Sequence, residues 1–254
     1  MDYPEPIPIQ TLKELFEQKE VNVSRTIAEG DGMYAGNTEH YFHVGQSALQ
    51  CIKLAMLAAE KGSLSRILDL PCGHGRVLRT IKAAFPKAQL TACDILEDGV
   101  DFCAKELGAI PVYAREQPEE IKISGQFDLI WCGSLLTHMD ADRWMSFVSL
   151  FNSLLNPTGL LVFTTHGRWV IQRIRRGEEN YGLEADKLRT LLDDYDRQGF
   201  GFGNYFHSTT YGVSASSPSW VCEQLEKLGN IRLLNFTERG WDNHQDVVAC
   251  LRSP

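Results

Sequence analysis

The chain has 254 residues, 43% of them hydrophobic, which suffices for one core and a single domain carrying an insertion. A formal charge of −8 argues against a nucleic-acid backbone as the main partner, because phosphate neutralisation needs a basic face; a small molecule is expected instead. No run approaches the roughly 18 apolar residues of a membrane span, and Met1 to Pro6 carries neither a positive run nor an apolar segment, so the cytoplasm is the expected compartment.

Residues 1–10 hold three prolines and are expected to form an irregular arm, followed by a short helix over Thr11 to Gln18. From Glu29 to Gly45 glycines and aromatics follow one another without a period. That segment reads either as a flap or as a surface loop with Tyr41 and Phe42 tucked into the core. Leu49, Ile52, Leu54, Ala55 and Leu57 then give helical spacing over Gln46 to Lys61. Residues 1–62 are thus an N-terminal arm and cap helix.

The densest signal lies between Ile67 and Val77. An apolar run too short for a helix stops at Pro71, and Gly73 and Gly75 lead into helical spacing from Val77 to Phe85. Strand, glycine turn and helix in that order let main-chain N–H groups face a ligand at the positive end of the helix. The dinucleotide fingerprint G-x-G-x-x-G fails at its third glycine, which is Leu78, and the phosphate loop is absent. Asp69, at the end of the strand, would repel a pyrophosphate but suits a cofactor bearing an amino group and a sulfonium. Cys72 beside the glycines is either a reactive thiol or a small residue filling space. The seven cysteines include no C-x-x-C pair and read as reduced packing residues.

Asp69-Leu-Pro-Cys-Gly-His-Gly75 after an apolar strand resembles the first motif of class I S-adenosylmethionine-dependent methyltransferases. The resemblance implies S-adenosyl-L-methionine as cofactor, S-adenosyl-L-homocysteine as product, and an α/β, doubly wound, mostly parallel seven-stranded sheet with a final antiparallel strand. It also implies that the N-terminal segment covers cofactor and substrate, which makes Tyr34, Tyr41 and His43 candidates for substrate contact.

The next strand runs from Gln89 and ends at Asp94, 25 residues after Asp69. In a doubly wound sheet that acid reaches the two hydroxyls of a bound ribose, with Ile95 against the adenine; the alternative is that Asp94 merely caps the helix beginning near Glu97. A short third strand is expected over Ile110 to Ala114. Phe127 to Cys132 is a near-continuous apolar run, as for a central parallel strand. Followed by small residues and Leu-x-His, it is similar to the fourth strand of small-molecule methyltransferases, which implies that Gly133 and Ser134 lie along the methionine part of the cofactor. A helix from Asp140 or Ala141 to Leu155 stops at Asn156-Pro-Thr-Gly159, and strand five is Leu160 to Thr164, with His166 at its carboxyl end. Strand and helix alternate throughout Leu64 to His166, which gives right-handed crossovers and a parallel sheet.

Residues 167–216 break that order and are too many for an ordinary link, so they read as an inserted lid or substrate cap between core segments 63–166 and 217–254. Arg173, Arg175 and Arg176 either receive a phosphate or carboxylate or form a solvated helix face. The glycine and aromatic alternation from Gly199 to Gly212, Tyr211 included, is either a substrate wall or an edge hairpin. After a helix over Pro218 to Leu228 come two strands joined by a turn, and the family's sheet implies that Trp241, Asp242 and His244 stand above the cofactor's methyl group.

All seven histidines are expected at the carboxyl edge or its covers, none on a helix of the outer layers. His138, His166 and His244 take the substrate-facing places, each as a wall residue or as the base that removes an acceptor's proton. No H-x-x-E-H or H-E-x-x-H spacing occurs, so no metal is expected. The expected activity is methyl transfer to a small molecule, most readily at a hydroxyl oxygen. The alternatives are N-methylation of an amine or protein side chain, or a cofactor-binding regulator without catalysis.

Overall fold

The computed structural model describes residues 22–253; the expected arm and the helix over Thr11 to Gln18 lie outside them. In chain order the elements are α1 (Thr38–Ala58), β1 (Arg66–Asp69), α2 (Leu78–Ala84), β2 (Gln89–Asp94), α3 (Glu97–Leu107), β3 (Ile110–Tyr113), β4 (Phe127–Cys132), α4 (Ala141–Leu154) and β5 (Leu155–Thr165). There follow α5 (Arg168–Arg175), α6 (Ala185–Gln198), β6 (Phe200–Asn204), β7 (Gly212–Ser216), α7 (Pro218–Glu226), β8 (Ile231–Trp241) and β9 (Gln245–Arg252). Seven strands form one sheet in the order β3-β2-β1-β4-β5-β9-β8, in which only β9 runs against its neighbours. The doubly wound sheet with its antiparallel strand is as expected. Because the first five strands are parallel, all their carboxyl ends open at one edge, and the main cavity lies there.

The strands are apolar on both faces because both faces are covered. Leu129 and Trp131 of β4 pack with Ile52, Met56, Leu78, Ile81 and Val100 from α1, α2 and α3. The alternate residues Ile130 and Cys132 pack with Trp144, Phe147, Phe151, Val221 and Leu225 from α4 and α7. Each fully buried side chain of this size contributes about 1.5–3 kcal/mol, so the two layers rather than helix propensity hold the sheet. None of the described helices is long and apolar enough to cross a membrane.

Three local expectations change. Helix α1 begins at Thr38 rather than Gln46, because the Asn37 side chain accepts the His40 N–H as an N-cap and Tyr41, Phe42 and Val44 already continue its buried stripe. Gly45 masks that stripe in the sequence. Its reason is packing: a Cβ there would come 2.5 Å from Thr80 Oγ1 and 2.8 Å from the Arg76 carbonyl. His40 and His43 consequently lie on an outer helix, against the expectation that no histidine does. The crossover from β3 to β4 contains only a 3-10 turn, Pro118–Glu120, so strict strand and helix alternation fails there. Finally, Asn156 to Gly159 do not separate α4 from β5 but bulge within the strand, as the jump in register from Phe127–Leu155 to Leu129–Leu160 shows.

The 167–216 segment folds as two helices and a hairpin. β6 and β7 pair antiparallel as a separate two-stranded sheet, and Val170, Ile171, Ile174, Leu191 and Val213 form a small core beneath it. The glycines of Phe-Gly-Phe-Gly are explained by α6: a Cβ at Gly203 would approach the Lys187 carbonyl to 3.0 Å. The basic stretch is spent within the insert, with Arg173 3.7 Å from Glu178, Arg176 3.6 Å from Glu178, and Arg175 paired with Asp196. These exposed pairs are worth about 0–1 kcal/mol each and form a solvated face.

Gly45→Ala separates propensity from packing. Alanine is worth about 1 kcal/mol in a helix interior, yet the clash with the Arg76 carbonyl should make the variant about 1–3 kcal/mol less stable. Urea unfolding followed by tryptophan fluorescence checks this, and a stabilised variant would show that α1 does not press on the glycine turn.

Candidate active site

A cavity of about 530 Å³ opens at the carboxyl edge between the ends of β1, β2 and β4, the loop after β3 and the β6–β7 loop. At its inner wall Asp69 ends β1 with 1% exposure. Neither of its carboxylate oxygens has a hydrogen-bond partner among the described residues. Burial pushes its pKa well above the usual carboxylate range, and the neighbouring Cys103 and Asp94 push in the same direction. An enclosed carboxylate without donors is costly by itself and fits a site for a cationic group.

The turn after β1 is held open by backbone conformation. Gly73 and Gly75 have φ of 48° and 74°, the left-handed region. The Gly73 N–H donates to Asp94 Oδ2 at 2.7 Å, and the Leu96 N–H donates to Asp94 Oδ1 at 3.0 Å. Asp94 therefore ties the end of β2 to the glycine turn, and it does not cap α3, whose N-cap is Leu96 without a side-chain bond. Both Asp94 and Ile95 line the cavity, as do Ala114, Arg115 and Glu116 beyond β3. Cys72 lines it too, with its thiol toward the Gly73 carbonyl at 3.4 Å. The adjacent Cys103 thiol and burial raise the Cys72 pKa, so it stays a protonated packing residue.

Gly133 and Ser134 follow β4 in the cavity wall. A small residue is required at 133, where a Cβ would lie 2.9 Å from Trp131 Nε1 and 3.0 Å from Trp241. Ser134 has φ of 61° and is fixed by a closed set of bonds: its N–H donates to Thr164 Oγ1 at 2.8 Å, Gln245 Nε2 donates to its Oγ at 3.0 Å, and Thr164 Oγ1 donates to Gln245 Oε1 at 2.6 Å. Gln245 is hidden in the sequence because only the pairing of β5 with β9 brings it there. Trp241 is a wall residue, its indole N–H donating to the Val44 carbonyl at 3.0 Å and its ring edge-on to Trp131 at 5.5 Å.

The three candidate histidines do not share the cavity. His138 lines it, with Nδ1 2.7 Å from the Gly212 carbonyl. A carbonyl only accepts, so Nδ1 carries the proton and Nε2 is left as an acceptor. Its ring stacks on Tyr211 at 4.9 Å, and burial lowers its pKa. His166 is 4% exposed, hydrogen-bonded through Nδ1 to the Ser214 carbonyl at 3.1 Å, and does not reach the cavity wall. Burial, with His138 and His244 nearby, brings its pKa down to about 3, so it stays neutral. His244 is also off the wall, 5.7 Å from His166 and 3.5 Å from the Tyr181 hydroxyl. The cause is the hairpin: β7 lies across the end of β5 and its carbonyls take up both His138 and His166.

The N-terminal candidates move as well. Tyr41 is 1% exposed and donates to Asp31 Oδ2 at 2.5 Å; burial and that bond raise its pKa, and it does not line the cavity. His43 is exposed on α1 and Tyr34 bonds Thr38 Oγ1 at 2.9 Å, both away from the cavity. In their place Asp31 and Met33 line it. The early start of α1 is the reason, because it turns the aromatic stretch into helix and core. On the other side Arg143 binds the carbonyls of Thr210 (3.0 Å) and Glu116, tying the β6–β7 loop to the loop after β3. Tyr211, carried by that loop, does line the cavity. No group of three or more His, Cys, Asp or Glu among the described residues is arranged to hold a metal ion.

Known proteins resemble the chain in sequence and in fold. The family described as "Methyltransferase domain" matches residues 68–161. A malonyl-[acyl-carrier protein] O-methyltransferase of Bacillus cytotoxicus is 29% identical over 120 residues, 47% of this chain and 41% of that enzyme, so the chain spans less than half of the relative's length. Among solved structures, an S-adenosylmethionine-dependent methyltransferase from Clostridium acetobutylicum has a TM-score of 0.55 at 14% identity, covering 85% of this chain and 92% of that one. The N-methyltransferase NodS from Bradyrhizobium japonicum, in complex with S-adenosyl-L-homocysteine, has a TM-score of 0.52 at 16% identity, covering 96% and 99%. Sheet order and the matched domain agree: residues 68–161 match the methyltransferase domain, and the chain has the fold of the S-adenosylmethionine-dependent methyltransferases.

Proposed function

We propose that the chain transfers a methyl group from S-adenosyl-L-methionine to an oxygen of a small acceptor, with His138 as general base. The observation that carries the donor half is Asp69, whose enclosed, unbonded carboxylate fits an ammonium group beside the open glycine turn. Asp94 would bind the ribose hydroxyls with the lone pairs left by its two backbone bonds. Ile95 and the loop after β3 would enclose the adenine, and Gly133 and Ser134 would flank the methionine chain. When bound, the cofactor supplies a methyl group on a sulfonium, already electrophilic.

The residues around it have two tasks, to hold the acceptor in line and to take its proton. His138 Nε2 is an acceptor in the cavity wall, held in its tautomer by the Gly212 carbonyl and in its plane by Tyr211. The lowered pKa keeps that nitrogen unprotonated into mildly acidic solution. Oxygen as the acceptor atom accords with the named activity of the Bacillus relative, which is an O-methyltransferase. Residues 167–216 act as the substrate cap, through Tyr211 and the Arg143 clamp on its loop.

Calorimetry should show binding of S-adenosyl-L-homocysteine by the wild-type protein, weakened about 10-fold or more by Asp94→Ala, since charge-assisted hydrogen bonds contribute roughly 1.5–3 kcal/mol. No binding by the wild type would contradict the reading. With a hydroxyl acceptor, His138→Ala should lose about 10²–10⁴ in methylation rate with homocysteine-cofactor affinity unchanged. Since the His138 pKa lies below the ordinary 6.5, the wild-type rate should rise with pH, reach half its plateau below pH 6.5 and stay flat at neutrality. A His138→Ala enzyme of undiminished rate would remove His138 as the base.

A further inference from the structure

Arg143 has no carboxylate partner among the described residues. Its two terminal nitrogens donate to main-chain carbonyls, one to Thr210 at 3.0 Å on the β6–β7 loop and the other to Glu116 beyond β3, and its Nε–H is buried without a partner. A cation that leaves water for neutral acceptors gains little stability by it. What the rigid fork does supply is position, because it fixes where both carbonyls stand.

The backbone behind the guanidinium is stiff. Asp140 caps α4 by accepting the Arg143 N–H at 2.9 Å, and the His138 N–H donates to the Leu135 carbonyl at 3.0 Å in a 3-10 turn, Leu136–His138, so residues 135–143 form one corner. The β6–β7 loop is equally bound to itself. Asn204 Nδ2 donates to the carbonyls of Tyr205 and Ser208, at 3.3 and 2.7 Å, and Ser208 Oγ accepts the N–H groups of Thr210 and Tyr211, at 3.2 and 2.9 Å. The Tyr205 N–H closes the loop on the Tyr211 carbonyl at 3.1 Å.

Two side chains of the corner grip this loop at alternate carbonyls, Arg143 at Thr210 and His138, through Nδ1, at Gly212. In a loop bonded to itself in this way, holding Thr210 holds Gly212. Gly212 is the one partner of His138 Nδ1 among the described residues; the rings of Tyr211, Tyr205 and His166 stand 4.9, 6.3 and 6.5 Å from the imidazole and offer that nitrogen no acceptor. With the Gly212 carbonyl displaced, the imidazole can carry its proton on Nε2. The acceptor in the cavity wall then becomes a donor.

We propose that Arg143 is a positioning residue for His138, acting through the Thr210 and Gly212 carbonyls to keep the imidazole in the tautomer that can take a proton. The inference rests on the reading of His138 as the base. Beyond Gly212, β7 has anchors of its own: the Ser214 hydroxyl donates to the Leu136 carbonyl at 2.8 Å, and the Ser214 carbonyl accepts from His166 Nδ1 at 3.1 Å. His166 therefore serves as an internal control on the same strand.

Long-range proton–nitrogen NMR of the imidazoles reads the tautomers directly, on the full chain without ligand at neutral pH, where burial keeps both rings uncharged. His138→Ala identifies the His138 signals. In the wild type both His138 and His166 should carry the proton on Nδ1. In Arg143→Gln the His138 signals should become those of mixed tautomers while His166 keeps its Nδ1 proton, and Arg143→Lys, whose ammonium can still reach one carbonyl, should recover part of the wild-type signature. An Arg143→Gln protein with His138 unchanged would overturn the assignment. So would equal changes at His138 and His166, which would mean that Arg143 holds the whole hairpin and not the loop at His138. Neither result involves a ligand, so each is distinct from the His138→Ala rate measurement that tests the base itself.

Discussion

The Asp69 carboxylate stands at the end of β1 with both oxygens out of water and no hydrogen donor to either among the described residues. A folded chain keeps such a group only where the surroundings are rigid enough to prevent collapse onto it, and where a ligand supplies what the protein withholds. Rigidity comes from the backbone. The two left-handed glycines bend the chain away from Asp69, and the Asp94 carboxylate, by accepting the Gly73 N–H, fastens that bend to the neighbouring strand. α1, pressed on the turn through Gly45, closes it from behind. The cavity is thus a consequence of where a parallel sheet must end and of how firmly the first turn is pinned.

The second determinant is the hairpin inserted after β5. Its strand β7 takes the Nδ1 protons of His138 and His166 on carbonyls two residues apart, Gly212 and Ser214. The same backbone that fixes the tautomer of one imidazole at the cavity seals the other inside the protein. The three imidazoles stand in file, 6.5 Å from His138 to His166 and 5.7 Å on to His244, and only the first faces the cavity. The insert therefore shapes this side of the cavity twice, through the orientation of His138 and through Tyr211 on the loop that Arg143 holds.

Much of the core is legible in the residues. The apolar runs ending in Asp69, Asp94 and Cys132 mark β1, β2 and β4 because strands buried on both faces need no alternation, and turn chemistry at Gly73 and Gly75 marks the passage from strand to helix. The hidden features depend on tertiary contacts. Gly45 reads as a loop residue until Thr80 and the Arg76 carbonyl are seen against it, and the start of α1, with the places of Tyr41 and His43, is obscured along with it. Asn156-Pro-Thr-Gly reads as a stop, though a strand can carry it as a bulge. The equivalence of His138, His166 and His244 comes from counting strand ends, and nothing in the spacing reveals that an inserted hairpin leaves only one of them at the cavity.

If Asp69 is kept for an ammonium group, ligand binding must ionise it. Its pKa in the ligand-free protein is raised, so a fraction is protonated where an ordinary aspartate is not, and that proton has to leave when the cation arrives. Calorimetric titration with S-adenosyl-L-homocysteine in buffers of different ionisation enthalpy, repeated across pH, measures it. Affinity should strengthen as pH rises through the raised Asp69 pKa, with proton release that vanishes in Asp69→Asn together with about 10-fold or more of the affinity. Binding by Asp69→Asn with wild-type affinity and an unchanged proton count would contradict a role for this carboxylate in holding the ligand.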